Sequence, residues 1–270
     1  MDNRPIGFFD SGLGGLTSIP YIMKELPKER IIFYGDTART PYGSKSPDTI
    51  RQFTLQIGDF LVKKGVKMIV IACNTVTATC LDDLRRTYPD IPVIGVISPT
   101  ARVIANKCNH DDRIGIIATK VTIKSGAYEK KIHEKHPGLN LFSKACPAFV
   151  PLIEEGIIDN EIMDLTIKYY LDDFVKEHHI NRLVLGCTHY PLIADNLRRI
   201  YPDIRIISSS KEVATAVHIE LEKGDMYAEK REAENVFYAS DLSENFVNMI
   251  QNILGRQKDE LNIQFKNLDI

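Results

Sequence analysis

Two cysteines stand in matching company. Cys73 lies in Ala72-Cys73-Asn74-Thr75 and Cys187 in Gly186-Cys187-Thr188-His189. Each ends a short apolar run, and each is followed by side chains that make hydrogen bonds. A thiol serves as an acid or a base near neutrality, because its ordinary pKa is about 8.5 and its surroundings can move it. A helix starting just after each cysteine would favour the thiolate through the aligned peptide dipoles. Two such groups on opposite walls of one cleft suit the inversion of a stereocentre. One removes a proton from one face, and the other returns a proton to the opposite face. Further polar residues follow other apolar runs in the same manner: Asp10 and Ser11, then Asp36 and Thr37 ahead of Tyr42 and Gly43, and Thr119 with Thr122. Cys80, Cys108 and Cys146 lack this setting and read as buried core thiols.

The elements that must position these residues are legible as apolar runs. Residues 6–9, 31–34, 68–72, 93–96, 114–118, 183–186, 204–207 and 236–238 lack polar alternation, which suits parallel strands covered on both faces. Amphipathic helices are predicted between them. One spans 49–64, with Ile50, Phe53, Ile57 and Leu61 on one face. A second spans 160–176, with Ile162, Leu165, Tyr169 and Phe174 roughly on one side. A third spans 242–253, with Phe246, Met249, Ile250 and Ile253 inward. Strands alternating with helices predict an α/β fold with mostly parallel sheets flanked by helices.

The pattern also repeats. Leu84-Arg85-Arg86-Thr87-Tyr88-Pro89-Asp90-Ile91 returns as Leu197-Arg198-Arg199-Ile200-Tyr201-Pro202-Asp203-Ile204, and the runs carrying Cys73 and Cys187 precede them at matching places. Ile6-Gly7-Phe8-Phe9 likewise resembles Ile114-Gly115-Ile116-Ile117. Three matches in the same order predict a duplicated α/β unit, hence two pseudo-symmetric lobes with the active site in the cleft between them. The expected division is residues 1–97 with a returning 208–270 segment as one lobe, and 98–207 as the other. Ligands bind at the carboxyl ends of strands in open α/β sheets, and the polar residues above stand at those ends.

Composition narrows the function classes. Basic and acidic side chains number 34 and 36, a balance that excludes a general electrostatic nucleic-acid binder. No apolar run approaches the ~18 residues a membrane span needs, and no signal peptide of usual length fits the start. The expectation is a cytoplasmic protein with reduced thiols and no membrane partner. Five cysteines without a C-x-x-C pair disfavour a disulfide framework, a zinc ribbon and a thiol redox motif. Gly12-Leu13-Gly14-Gly15 lacks the Lys-Ser/Thr of a phosphate-binding loop and reads as a tight strand-to-helix turn. Cys187 and His189 lack a third ligand of suitable spacing, so no metal is expected.

At these motifs the chain resembles the glutamate racemases. The matching segments are Ile6-Gly7-Phe8-Phe9-Asp10-Ser11-Gly12-Leu13-Gly14-Gly15-Leu16, Gly35-Asp36-Thr37-Ala38-Arg39-Thr40-Pro41-Tyr42-Gly43, Ile71-Ala72-Cys73-Asn74-Thr75, Ala145-Cys146-Pro147 with Glu154 following, and Leu185-Gly186-Cys187-Thr188-His189-Tyr190-Pro191. The resemblance implies interconversion of L- and D-glutamate by two-base proton transfer, with no cofactor, in bacterial cell-wall (peptidoglycan) synthesis. It implies Cys73 acting on the D-enantiomer and Cys187 on the L-enantiomer, helped by Asp10, His189 and Glu154. It places substrate binding at Asp10, Ser11, Tyr42, Gly43, Asn74, Thr75, Thr119 and Thr188, and it makes a homodimer plausible. Asp10 and Asp36 are expected to face the substrate ammonium. Asn74, Thr75 and Thr188 would hold the α-carboxylate, and Tyr42 and Gly43 the side-chain carboxylate. An aspartate racemase would share the cysteines and differ in that last pocket. A two-lobed small-ligand binding protein would bind without turnover.

Overall fold

The computed structural model describes residues 1–268. Ten strands run through them: β1 (Ile6–Asp10), β2 (Ile31–Gly35), β3 (Met68–Ile71), β4 (Val93–Gly95), β5 (Arg113–Ala118), β6 (Asn140–Ala145), β7 (Arg182–Leu185), β8 (Arg205–Ser208), β9 (Val236–Ala239) and β10 (Asn262–Phe265). They form two sheets, ordered β10-β9-β2-β1-β3-β4 and β6-β5-β7-β8, and all the pairings are parallel. The first four strands of each half follow the same order, second-first-third-fourth. That shared topology is the structural counterpart of the sequence repeat, with β1 matching β5 and β3 matching β7.

Helices cover both sheets. They are α1 (Ile19–Glu25), α2 (Pro47–Lys63), α3 (Asn74–Thr87), α4 (Ile97–Lys107), α5 (Lys120–Ser125) and α6 (Ala127–His133), then α7 (Phe149–Glu154), α8 (Glu161–His178), α9 (Ala194–Ile200), α10 (Ser210–Lys223) and α11 (Glu244–Leu254). Strand alternation divides the core between the faces. Neighbouring Phe8 and Phe9 of β1 are both fully buried and point to different clusters. The cluster around Phe8 also takes in Leu183 and Leu185 of β7 and Phe246 of α11, so the two sheets share one apolar interior.

Helix ends follow local chemistry. Ser46 caps α2 by accepting from the Thr49 backbone N–H, with Pro47 at the first helical position. Asn160 caps α8 in the same way through Met163. The inward face of α8 differs from the expected one. Met163, Ile167, Leu171 and Phe174 are buried, whereas Ile162, Leu165 and Tyr169 are exposed. Apolar residues surround this helix, so a stripe displaced by one residue also fits helical spacing, and packing against the shared interior decides between the two. Helix α11 does bury Phe246, Met249 and Ile250 as its periodicity predicts.

Candidate active site

Parallel pairing brings the strand ends to common edges. In the first sheet Asp10 closes β1 opposite Gly35, and Phe9 stands opposite Ile71, so Asp10, Asp36 and Cys73 leave neighbouring strands at one level. In the second, Ile117 of β5 stands opposite Leu185, which places Thr119 and Cys187 together. Both cysteines follow the third strand of their half, beside the point where strand order reverses. That is where open α/β sheets leave a crevice.

Cys73 has extended backbone angles and forms the N-cap of α3. Its sulfur lies 3.3 Å from Ser11 Oγ. Burial pushes the thiol up to about 12, the Asp10 charge adds to this, and Ser11 and the Val76 backbone N–H oppose it. The helix N-terminus is present as expected, but burial and the neighbouring carboxylate outweigh it. Asp10 is itself fully buried. Its two oxygens accept from the Gly12 N–H at 3.0 Å and from Thr188 Oγ1 at 3.2 Å. Burial raises its pKa against the pull of His189 and these donors.

Cys187 is built differently. No α-helix starts beside it: a 3-10 turn over Tyr190–Ile193 intervenes before α9, with Pro191 in its first turn. The expectation of a helix start at both cysteines therefore holds for Cys73 alone. The nearest proton-carrying partner of Cys187 is His189, whose Nδ1 lies 3.8 Å from the sulfur. His189 Nε2 meets Glu154 Oε1 at 3.0 Å, and Thr40 Oγ1 donates to the same oxygen at 2.9 Å. Burial opposes a charge on His189, but Cys187 and Glu154 outweigh it and hold the imidazole well above its ordinary pKa. Gly186 is required by close approach, since a Cβ there would stand 2.9 Å from the Ile117 carbonyl oxygen of β5.

Both cysteines line one small cavity of about 10 Å³, room for about one water. Ser11, Asn74 and Thr75 contribute from the first half, and Thr119, Thr188 and His189 from the second. Tyr42 and Gly43 close one side, and a Cβ on Gly43 would meet Thr119 at 2.5 Å. The hydroxyls of Thr75, Thr119 and Thr122 lie 3.0–3.3 Å apart and join the two halves at the cavity wall. Asp10 and Glu154 stand behind the lining, one bonded to Thr188 and the other to His189.

Asp36 departs from its expected place. It is fully buried away from the cavity, and its oxygens are taken by the Tyr42 hydroxyl, Arg39 Nε at 2.7 Å and Ser240 Oγ at 2.8 Å. A carboxylate so occupied is not available to a substrate ammonium. It anchors the 36–43 loop to the end of β9 and holds the Tyr42 hydroxyl. Thr40 and Tyr128 were not among the residues expected from sequence. Thr40 lies inside a motif already singled out, whereas nothing in the pattern around Tyr128 marks its contact with Asn74.

Among the described residues no group of three or more His, Cys, Asp or Glu could hold a metal ion, and no helix is long and apolar enough to cross a membrane. All five cysteines are free thiols.

Residues 21–217 match the sequence model of a family described as Asp/Glu/hydantoin racemase. The chain is 44% identical over 250 residues to the glutamate racemase of Persephonella marina, covering 93% of each chain. It is 42% identical to that of Geobacter metallireducens, covering 94% of each. Its structure superposes with a TM-score of 0.91 on the crystal structure of glutamate racemase from Francisella tularensis in complex with D-glutamate, at 37% identity, covering 100% of this chain and 99% of that one.

Proposed function

The chain belongs to the Asp/Glu/hydantoin racemase family as a glutamate racemase, and from that premise we propose that it interconverts L- and D-glutamate by proton transfer between two cysteines. The observation that carries this reading is the cavity itself: Cys73 and Cys187, from two separate sheets, line it together with the hydroxyl and amide donors between them.

With L-glutamate bound, the Cys187 thiolate takes the α-proton and becomes a thiol. The electron pair of the broken C–H bond spreads into the α-carboxylate, which gains enediolate character. Asn74, Thr75 and the Thr188 backbone N–H, whose hydroxyl already donates to Asp10, are the donors assigned to that charge, and donors fixed in advance cost no reorganisation when it appears. The Cys73 thiol then delivers its proton to the opposite face and is left as the thiolate. The reverse reaction uses the same groups in the opposite order. Cys73 rests protonated, because burial and Asp10 raise it. Cys187 stands 3.8 Å from the imidazole of His189. Asp10 and His189 are the groups that reset the protons between turnovers. The small cavity excludes water from the carbanion.

The proposal extends to the settings that the family resemblance implies: a cytoplasmic site of action, D-glutamate as the product passed to peptidoglycan synthesis, and a homodimer. The lobes are read as 1–97 with 208–270, and 98–207. Purified protein in deuterium oxide, free of pyridoxal phosphate, tests the chemistry. Circular dichroism follows loss of rotation from either enantiomer, and proton NMR follows exchange at Cα. Cys73→Ser and Cys187→Ser should each abolish racemisation, and near-normal turnover by either variant would overturn the two-cysteine mechanism. Aspartate should be turned over far more slowly than glutamate. Growth of a strain that requires D-glutamate tests the cellular role, and sedimentation the dimer.

A further inference from the structure

Asn74 carries an unmet donor. It is the first residue of α3, it is buried, and it lines the cavity beside Cys73. A carboxamide has one acceptor corner and one donor corner. The Asn74 Oδ1 corner accepts from the Tyr128 hydroxyl at 2.7 Å. The Nδ2 corner is shielded from solvent and has no hydrogen-bond partner among the described residues. Buried polar groups in folded proteins are nearly always paired, so an amide left open beside a cavity is a place kept for a ligand acceptor.

Tyr128 decides which corner stays open. It belongs to α6, which packs with the second sheet, whereas Asn74 follows a strand of the first, so their bond crosses between the halves. The ring is fully buried, with an edge against the place a Cβ on Gly186 would occupy, next to Cys187. Burial raises the phenol above its ordinary pKa, so it keeps the proton it donates. Turning the amide over would make that hydroxyl the acceptor and aim a carbonyl oxygen at the incoming carboxylate, which repels it.

We propose that Tyr128 is a positioning residue for racemisation, fixing the Asn74 carboxamide with Nδ2 free to bind a substrate carboxylate. The proposal rests on the reading of Asn74 as a substrate donor. Because the bond spans the halves, the donor is set only when the cleft is assembled.

The test is a double-mutant cycle with Tyr128→Phe, Asn74→Ala and both together, assayed with L- and D-glutamate. Tyr128→Phe should raise KM about tenfold, the scale of one charge-assisted hydrogen bond, with a smaller change in kcat. In the Asn74→Ala background the same change should do nothing further, because the two act through one bond. A KM within about twofold of wild type, or effects that multiply in the double variant, would overturn the proposal. If Asn74→Ala itself left KM unchanged, the assignment of Asn74 would fall first, and that outcome is distinct from the others. Wild-type protein gives a measurement independent of variant folding. The Asn74 side-chain amide signals, assigned by their loss in Asn74→Ala, should shift when D-glutamate is added, and signals that stay in place would also overturn it.

Discussion

Gly14 offers a direct test of the Cys187 arm. A Cβ at this position would stand 2.4 Å from Thr188 Oγ1, 2.5 Å from His189 Nδ1 and 2.8 Å from the His189 backbone nitrogen. Ordinary contact begins near 3.4 Å, so Gly14→Ala must drive these groups apart by about 1 Å. The imidazole that moves is the one 3.8 Å from the Cys187 sulfur, and the hydroxyl is the one bonded to Asp10. A displacement of about 1 Å in catalytic groups costs roughly a hundredfold in rate. Enantiomers have equal free energy, so the equilibrium constant is unity and kcat/KM must fall equally in both directions. The assay is circular dichroism from each enantiomer at subsaturating concentration. Gly65→Ala is the control: Gly65 has φ +71 and a Cβ there meets nothing within 4 Å. The strained left-handed backbone should cost about 1–2 kcal/mol of stability and leave activity per folded molecule unchanged. A folded Gly14→Ala protein within about threefold of wild-type kcat/KM would refute the role given to His189 and Thr188.

Three further outcomes follow from the same groups. Lys67 and Glu29 form an ion pair at 2.6 Å with both side chains almost wholly buried, so Lys67→Met strands a carboxylate and should cost about 3–5 kcal/mol in denaturant unfolding. Lys67→Met with Glu29→Gln should recover much of that loss, and a single variant as stable as wild type would contradict the pairing. With its thiol pushed up to about 12, Cys73 is thiolate in only about one molecule in ten thousand at pH 8, so its alkylation should rise tenfold per pH unit to pH 10 without a plateau. A plateau near pH 8.5, read by mass spectrometry of the labelled peptide, would disprove the raised value. His189 is held above its unfolded pKa of about 6.5, so its charge contributes stability that is full below that pH and fades as pH rises through the folded value. The stability gap between wild type and His189→Asn should therefore be widest near pH 6 and narrow in alkali, and a gap that widened with pH would reverse the sign assigned to His189.

The parts of the fold legible in the sequence are those whose residues are buried on both faces. Strands β1, β2, β3, β4, β5, β7 and β9 read directly as apolar runs because they are almost wholly buried, and β8 reads as one at 204–207 although it keeps some exposure. Strand β6 does not, since Ser143 and Lys144 interrupt it and every residue keeps some exposure at the sheet edge. Strand β10, Asn262–Phe265, is a polar edge for the same reason. The inward face of α8 was ambiguous because two stripes of apolar residues share one helix. At the cavity, the residues standing just after strands were legible from the strand ends alone. The contacts that orient them were not. Glu154 with Thr40, Asn74 with Tyr128 and Asp36 with Ser240 join residues distant in sequence, and each partner is fixed only by how helices and sheets pack.

The duplicated halves suggest equal cysteines, and the structure surrounds them unequally. Two thiols in identical surroundings would share one proton without preference, and many molecules would hold both sulfurs in the same state, unable to turn over. The first half buries its cysteine beside a carboxylate, and together these keep the sulfur protonated against the pull of Ser11. The second half replaces the helix start with a 3-10 turn that brings an imidazole to the sulfur, and Glu154 behind it sustains the imidazole's charge. Thr188 bonds Asp10, so the two environments are linked by a hydrogen bond between the halves. Protonating one side alters the field at the other within hydrogen-bonding range, where a low dielectric strengthens it. The repeated backbone thus brings both cysteines to one cavity, and the side chains behind them differ from one half to the other.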